Sequence, residues 1–120
     1  KSALLQVWYP TSDHRGLTIV ISIYMDKLHH IAINVKDINE SIDWYMHNTD
    51  CVLEYSDKTW ALLKYENCSL ALTVSEEHPP HVCFKIKGAD AYGELKEHRD
   101  GTKSVYIKDP SDNTIEMLQD

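Results

Sequence analysis

At 120 residues, 42% hydrophobic and 26% charged, the chain has the size and make-up of one globular domain that buries its core without disulfides or a structural metal. Its formal net charge of −7, with no Lys/Arg cluster against the trend, repels a phosphate backbone and argues against nucleic acid as a partner. Three cysteines (Cys51, Cys68, Cys83) without C-x-x-C spacing fit neither a disulfide framework nor a cysteine zinc site, so the expected compartment is the reducing cytoplasm.

In chain order, residues 1–24 read as an N-terminal extension. Residues 1–9 lack the basic start, long apolar stretch and small-residue cleavage site of a secretory signal, and Leu17-Thr-Ile-Val-Ile-Ser-Ile-Tyr24 is rich enough in β-branched residues to be one added strand. That run is far below the roughly 18 apolar residues needed to span a bilayer, so no membrane segment is expected. From Met25 onward the patterning is that of a single domain over residues 25–120, built from two modules at about 28–74 and 81–118.

The modules show themselves as a repeat. His30-Ile-Ala-Ile-Asn-Val-Lys36 is echoed 51 residues later by His81-Val-Cys-Phe-Lys-Ile-Lys87. After the first copy, Asp37 followed by Glu40 resembles a capping box, and Ile38, Ile42, Tyr45 and Met46 form an apolar stripe, which predicts a helix over 38–48. Strands are expected at 51–55, 59–65 and 69–74. After the second copy, Ala91, Tyr92 and Leu95 supply a shorter stripe, and a second, weaker helix is expected there despite Gly93. Strands at 103–108 and 114–118 follow. Ser69-Leu-Ala-Leu72 matches Thr114-Ile-Glu-Met117 at an offset of 45, six less than the first match, so one short strand of the second module is missing or vestigial. The fold class is α+β: paired βαβββ modules forming a curved mixed sheet, with helices outside and a concave ligand cavity inside.

Strand alternation places His30, Ala32 and Asn34 on one face and Ile31, Ile33 and Val35 on the helix side. Likewise His81, Cys83 and Lys85 turn inward, and so does Glu116, whose neighbours Ile115 and Met117 are core residues. Two imidazoles and a carboxylate from separate strands can hold one divalent metal and leave positions open for water or substrate. Cys83, Trp60, Tyr106 and Asn34 are expected to line the cavity against a substrate. His29 alternates to the helix side, and His78, in the Glu76-Glu-His-Pro-Pro loop, reads as solvated.

Asp109-Pro-Ser-Asp-Asn-Thr-Ile-Glu-Met-Leu-Gln119 looks like the Asp-Pro-x-Gly-Asn-x-x-Glu signature of the vicinal oxygen chelate superfamily, and together with the two histidine strands it makes residues 28–118 resemble that family. The family includes glyoxalases, ring-cleaving dioxygenases, fosfomycin-resistance thiol transferases and bleomycin-binding proteins. The resemblance carries the metal-ligand role to His30, His81 and Glu116. Its fourth ligand position falls on Ala71, so the three-ligand members are the better match. Asp112 stands where the signature has Gly, and Asp tolerates the left-handed backbone of a tight turn.

The resemblance implies a metal-dependent enzyme that chelates two neighbouring oxygens of a small substrate, with Fe, Mn, Zn or Ni as the ion, in a homodimer that in some members shares its sites. A metal-free binding protein of the bleomycin-resistance type is the alternative, and an interaction domain with a disused cavity is a third possibility.

Overall fold

The computed structural model describes residues 3–23 and 25–120. Residues 1, 2 and 24 of the expected extension, including the last residue of its strand, lie outside that range.

The extension forms two strands where one was expected. β1 (Ala3–Tyr9) and β2 (Leu17–Ile23) pair antiparallel from Ala3↔Ile23 to Tyr9↔Leu17, as a sheet of their own. Local sequence favours β2 openly through Thr18, Ile19, Val20 and Ile21. The first strand exists only through this pairing, because Ala-Leu-Leu-Gln-Val-Trp-Tyr carries no clean alternation.

The remaining strands make one eight-stranded mixed sheet: β3 (Lys27–Asn34), β4 (Val52–Ser56), β5 (Trp60–Lys64), β6 (Ser69–Thr73), β7 (His81–Ile86), β8 (Lys96–Glu97), β9 (Lys103–Lys108) and β10 (Thr114–Gln119). Its order is β4-β5-β6-β3-β7-β10-β9-β8. In each half the first strand runs parallel to the last, β3 beside β6 and β7 beside β10, and the halves join through antiparallel β3 and β7. This is the α+β architecture of paired modules expected from the repeat.

The halves are not equally furnished. In the first, α1 (Ile38–Asn48) starts where Asp37 accepts a hydrogen bond from the Glu40 amide at 2.8 Å, satisfying one of the orphan donors of the first turn. Ile38 and Ile42 of α1 pack against Ala61, Leu63 and Leu72, the alternate residues of β5 and β6, to form the core. In the second half the expected helix is replaced by one 3₁₀ turn at Ala89–Tyr92. Gly88 (φ 71°) and Gly93 (φ 151°) bracket it in conformations that a continuing helix cannot take. A side chain at 93 would also press its Cβ to 3.0 Å from Val105 Cγ2. The strand that the sequence marks as missing or vestigial survives as the two-residue β8.

The sheet curls. Asp57, in the β4–β5 turn, and Arg99, in the β8–β9 loop, belong to opposite edges, yet Arg99 Nη1 lies 2.9 Å from Asp57 Oδ2 while Nη2 lies 3.2 Å from Glu77 Oε1. The outer hairpins thus meet over the concave face. Burial pushes the Asp57 carboxyl up, but hydrogen bonds from Tyr55, Thr59 and the Trp60 amide outweigh it and hold the group at about 2.

A folded value below the unfolded one means that the unfolded chain binds the extra proton. The stabilisation is therefore present above about pH 4 and lost as pH falls toward 2. Asp57→Asn is expected to cost about 1–2 kcal/mol at pH 7, after discount for partial exposure, with the deficit shrinking toward pH 2 in urea titrations.

Among the described residues no helix is long and apolar enough to cross a membrane.

Candidate metal centre

The histidines are brought to the centre of the sheet by the antiparallel β3–β7 ladder, in which His30 faces Cys83 and His81 faces Ala32. The parallel β7–β10 ladder sets Glu116 beside Cys83. Their tips converge: His30 Nε2 and His81 Nε2 each lie 3.2 Å from Glu116 Oε1 and 3.3 Å from one another. His81 and Glu116 are buried, at 6% and 4% exposure, and His30 is partly buried.

Three donor atoms about this far apart fit one ion. With metal–ligand bonds of about 2.0–2.1 Å, neighbouring ligand atoms stand about 2.9 Å apart in an octahedron and about 3.4 Å apart in a tetrahedron. The atoms that face away are occupied. His81 Nδ1 lies 2.8 Å from the Pro79 carbonyl and donates to it, so the inward Nε2 is the nitrogen that gives up its proton and presents a lone pair when an ion replaces the Glu116 contact. His30 Nδ1 lies 2.7 Å from His29 Nδ1. Glu116 Oε2 accepts from the Ser104 hydroxyl at 2.7 Å, and His98 Nε2 lies 3.3 Å from the same oxygen.

Charge is shared within the cluster. Burial pushes the Glu116 carboxyl up, yet hydrogen bonds with His30, His81 and Ser104 overcome it and hold the group well below the usual carboxylate range. For His81, burial acts downward, but the hydrogen bonds to Glu116 and the Pro79 carbonyl win and raise it.

His29 departs from its expected place. The β3–β7 register slips between Leu28 and His30, and this bulge lets the His29 ring reach His30 on the concave side. Burial and the neighbouring His30 lower its pKa, which favours the neutral ring as the hydrogen-bond partner of His30 Nδ1. His78 is likewise no solvated loop residue. It stacks on Tyr106 (ring centroids 5.8 Å, 20°) and meets His81 edge-on at 6.1 Å.

Of the residues expected to line the cavity, Tyr106 stands at the centre, with its ring 5.2 Å from that of His81 and its phenol pushed upward by burial and by Glu116. Cys83 is fully buried, and burial pushes its thiol up, so it is a protonated wall group rather than a nucleophile. Although His29, His30 and Cys83 also converge, that group shares His30 and its thiol is not ionised.

Trp60 and Asn34 lie further along the same face. Asn34 is four residues along β3 from His30, about 13 Å, and Trp60 joins its row through Thr73, whose hydroxyl donates to Asn34 Oδ1 at 2.9 Å. Trp60 Nε1 is buried there without a hydrogen-bond partner among the described residues.

The register also gives Ala71 its meaning. Ala71 pairs with Ala32 in the β3–β6 ladder as Glu116 pairs with Cys83 in the β7–β10 ladder, so it is the pseudo-symmetric mate of Glu116, and it carries a methyl group. Asp112 adopts φ 68° in the preceding turn, a left-handed conformation that glycine takes freely and Asp tolerates. Ser104 and His98 escaped the sequence reading. They stand 12 and 18 residues from Glu116, one on β9 and one in a loop, and no local pattern marks them.

No protein-family model matches the sequence, and no curated protein matches it significantly. Solved structures do resemble it. A hypothetical protein from Bacillus halodurans C-125 shares 16% identity over 81% of this chain and 96% of its own, with a TM-score of 0.67. A methylmalonyl-CoA epimerase in complex with methylmalonyl-CoA and NH4+ shares 14% identity over 80% and 95%, at 0.65. A glyoxalase/bleomycin resistance protein/dioxygenase superfamily member from Vibrio splendidus 12B01 shares 12% over 80% and 99%, at 0.60. At these identities the likeness is one of fold: the chain has the vicinal oxygen chelate fold.

Proposed function

We propose that this fold serves here as a metal-dependent enzyme, with one divalent ion held by His30 Nε2, His81 Nε2 and Glu116 Oε1 and a small substrate presenting two neighbouring oxygens to it. The observation that carries the reading is the triangle of three donors 3.2–3.3 Å apart, with each ligand's outward atom engaged by a partner. Partners of that kind orient ligands and fix the tautomer that presents a lone pair.

When bound, the ion supplies Lewis acidity toward the substrate's oxygens. The chain's own groups shape the reaction around it. The first-module position that mirrors Glu116 carries only the buried methyl of Ala71, Tyr106 and His78 wall the other side, and Trp60 Nε1 offers a free donor further along the groove. His78, its pKa lowered mainly by burial and then by His81, is neutral at pH 7, with Nδ1 3.5 Å from the Tyr106 hydroxyl. It is the candidate to accept a proton from a bound substrate. Fe, Mn, Zn and Ni all suit imidazole and carboxylate donors. The reading includes a homodimer, and the apolar residues exposed on edge strand β4 (Val52, Leu53, Tyr55) support a contact between copies. It also includes the cytoplasm, which suits three free cysteines.

A metal-free binding protein is the second reading. It is favoured by Ala71 and by the ability of the three side chains to satisfy one another with a proton between them. Elemental analysis of protein purified without chelators, followed by titration with Mn(II), Fe(II), Zn(II) and Ni(II), separates the two. About one ion per chain and a rise in thermal stability are expected. No occupancy and no stabilisation with any of the four would leave the binding protein as the function.

A further inference from the structure

Glu116 has one oxygen committed to the histidines and the other committed elsewhere, and that second commitment is a built chain of donors. Ser104 on β9 is 1% exposed and donates its hydroxyl proton to Glu116 Oε2 at 2.7 Å. Having donated, its oxygen is left to accept, and His98 Nε2 stands 2.5 Å away. Ring nitrogen to hydroxyl to carboxylate is therefore one polarised series in which each bond strengthens the next, and His98 Nε2 itself also stands 3.3 Å from Glu116 Oε2.

The loop that carries His98 is held from both sides. Its amide donates to the Thr102 carbonyl at 2.7 Å, Asp100 accepts from the Thr102 amide and hydroxyl, and Arg99 ties the loop to Asp57 and Glu77 across the groove.

We infer that Ser104 and His98 are positioning residues that pin Glu116 Oε2 and so restrict the carboxylate to a single oxygen toward the ion. The inference rests on the metal reading above. Its consequence is a count. With Glu116 held to one oxygen, three protein atoms occupy the ion, and the remaining positions stay available for both oxygens of a chelating substrate. If the carboxylate were free to turn, Oε2 would take one of them.

Mn(II) is the probe, and affinity and water-proton relaxivity per bound ion are the readouts. The relaxivity reports how many positions hold exchanging water. For Ser104→Ala, Mn(II) affinity is expected to fall about 10–100-fold and relaxivity to drop. His98→Ala should fall in the same direction, while His98→Gln, whose amide nitrogen can stand in for Nε2, should restore both. Circular dichroism of each metal-free variant confirms folding. Because His98 is only part-buried whereas Ser104 is fully buried, its variants are expected to fold even if Ser104→Ala does not.

Wild-type protein that takes up no Mn(II) overturns the metal reading and this inference with it. Wild-type protein that binds Mn(II), with Ser104→Ala and His98→Ala unchanged in affinity and relaxivity, overturns the inference alone. A purely structural role would lower stability and leave relaxivity per bound ion where it was.

Discussion

A His30→Ala, His81→Ala variant is expected to retain no metal under conditions that leave about one ion per wild-type chain. The double change removes two of the three convergent donors and leaves a single carboxylate, which in water competes poorly for a transition metal. Thermal stability gives a second readout. An ion at 100 times its dissociation constant stabilises the folded state by about 2.7 kcal/mol, and that increment should vanish in the variant.

The metal-free baseline will shift as well. Glu116, 4% exposed, would lose both histidine partners and keep Ser104 and His98 alone, and stranding a buried carboxylate costs about 3–5 kcal/mol where no partner remains. Comparing each protein with and without ion separates the two effects. A double variant that still binds one ion with wild-type affinity would remove His30 and His81 from the site.

Leu72→Ala should be of similar size and of a different kind. Leu72 is fully buried on β6 and packs with Ile38 and Ile42 of α1 and with Ala61 and Leu63 of β5. Its side chain points away from the concave face that carries Ala71 and Thr73. Truncation leaves a cavity under the only α-helix among the described residues, with an expected loss of about 3–5 kcal/mol and a fall in Tm of roughly 10–25 °C. Because the change is on the opposite face, the folded fraction should bind metal as the wild type does. Denaturant unfolding and a metal titration below the transition check both halves of the expectation.

The contrast between these variants follows from alternation, the feature of this chain most open to reading in advance. With side chains pointing to opposite faces at successive residues, His30 and His81 opening two copies of one strand had to share a face, and Ile33 and Val35 had to share the other. The Asp37 cap and the Ile38/Ile42 stripe were equally readable, because a helix start is decided within one turn of chain. So was the turn before Glu116: Asp109 accepts from the Ser111 and Asn113 amides at 2.9 and 2.8 Å, a geometry contained in five residues.

What escaped reading depended on partners far away in the chain. His29 changes face because β3 slips against β7, and a bulge belongs to the pair rather than to either strand. The second apolar stripe makes one 3₁₀ turn because Gly93 takes a backbone angle reserved for glycine and lies against Val105 of β9. β1 is a strand only beside β2.

The largest gap is at the site itself. Ser104 reaches Glu116 through the β9–β10 ladder, while His98 and His78 come in on loops where the sheet curls until Arg99 meets Asp57, and curvature is the sum of twists over eight strands. Local periodicity therefore determined the position of the helix and the three groups that converge, and the facing of strand residues wherever no bulge intervenes. Tertiary structure alone decided what stands behind those groups, since hydrogen-bond partners of a buried carboxylate are chosen by proximity in space, to which neither period nor spacing in the chain gives access.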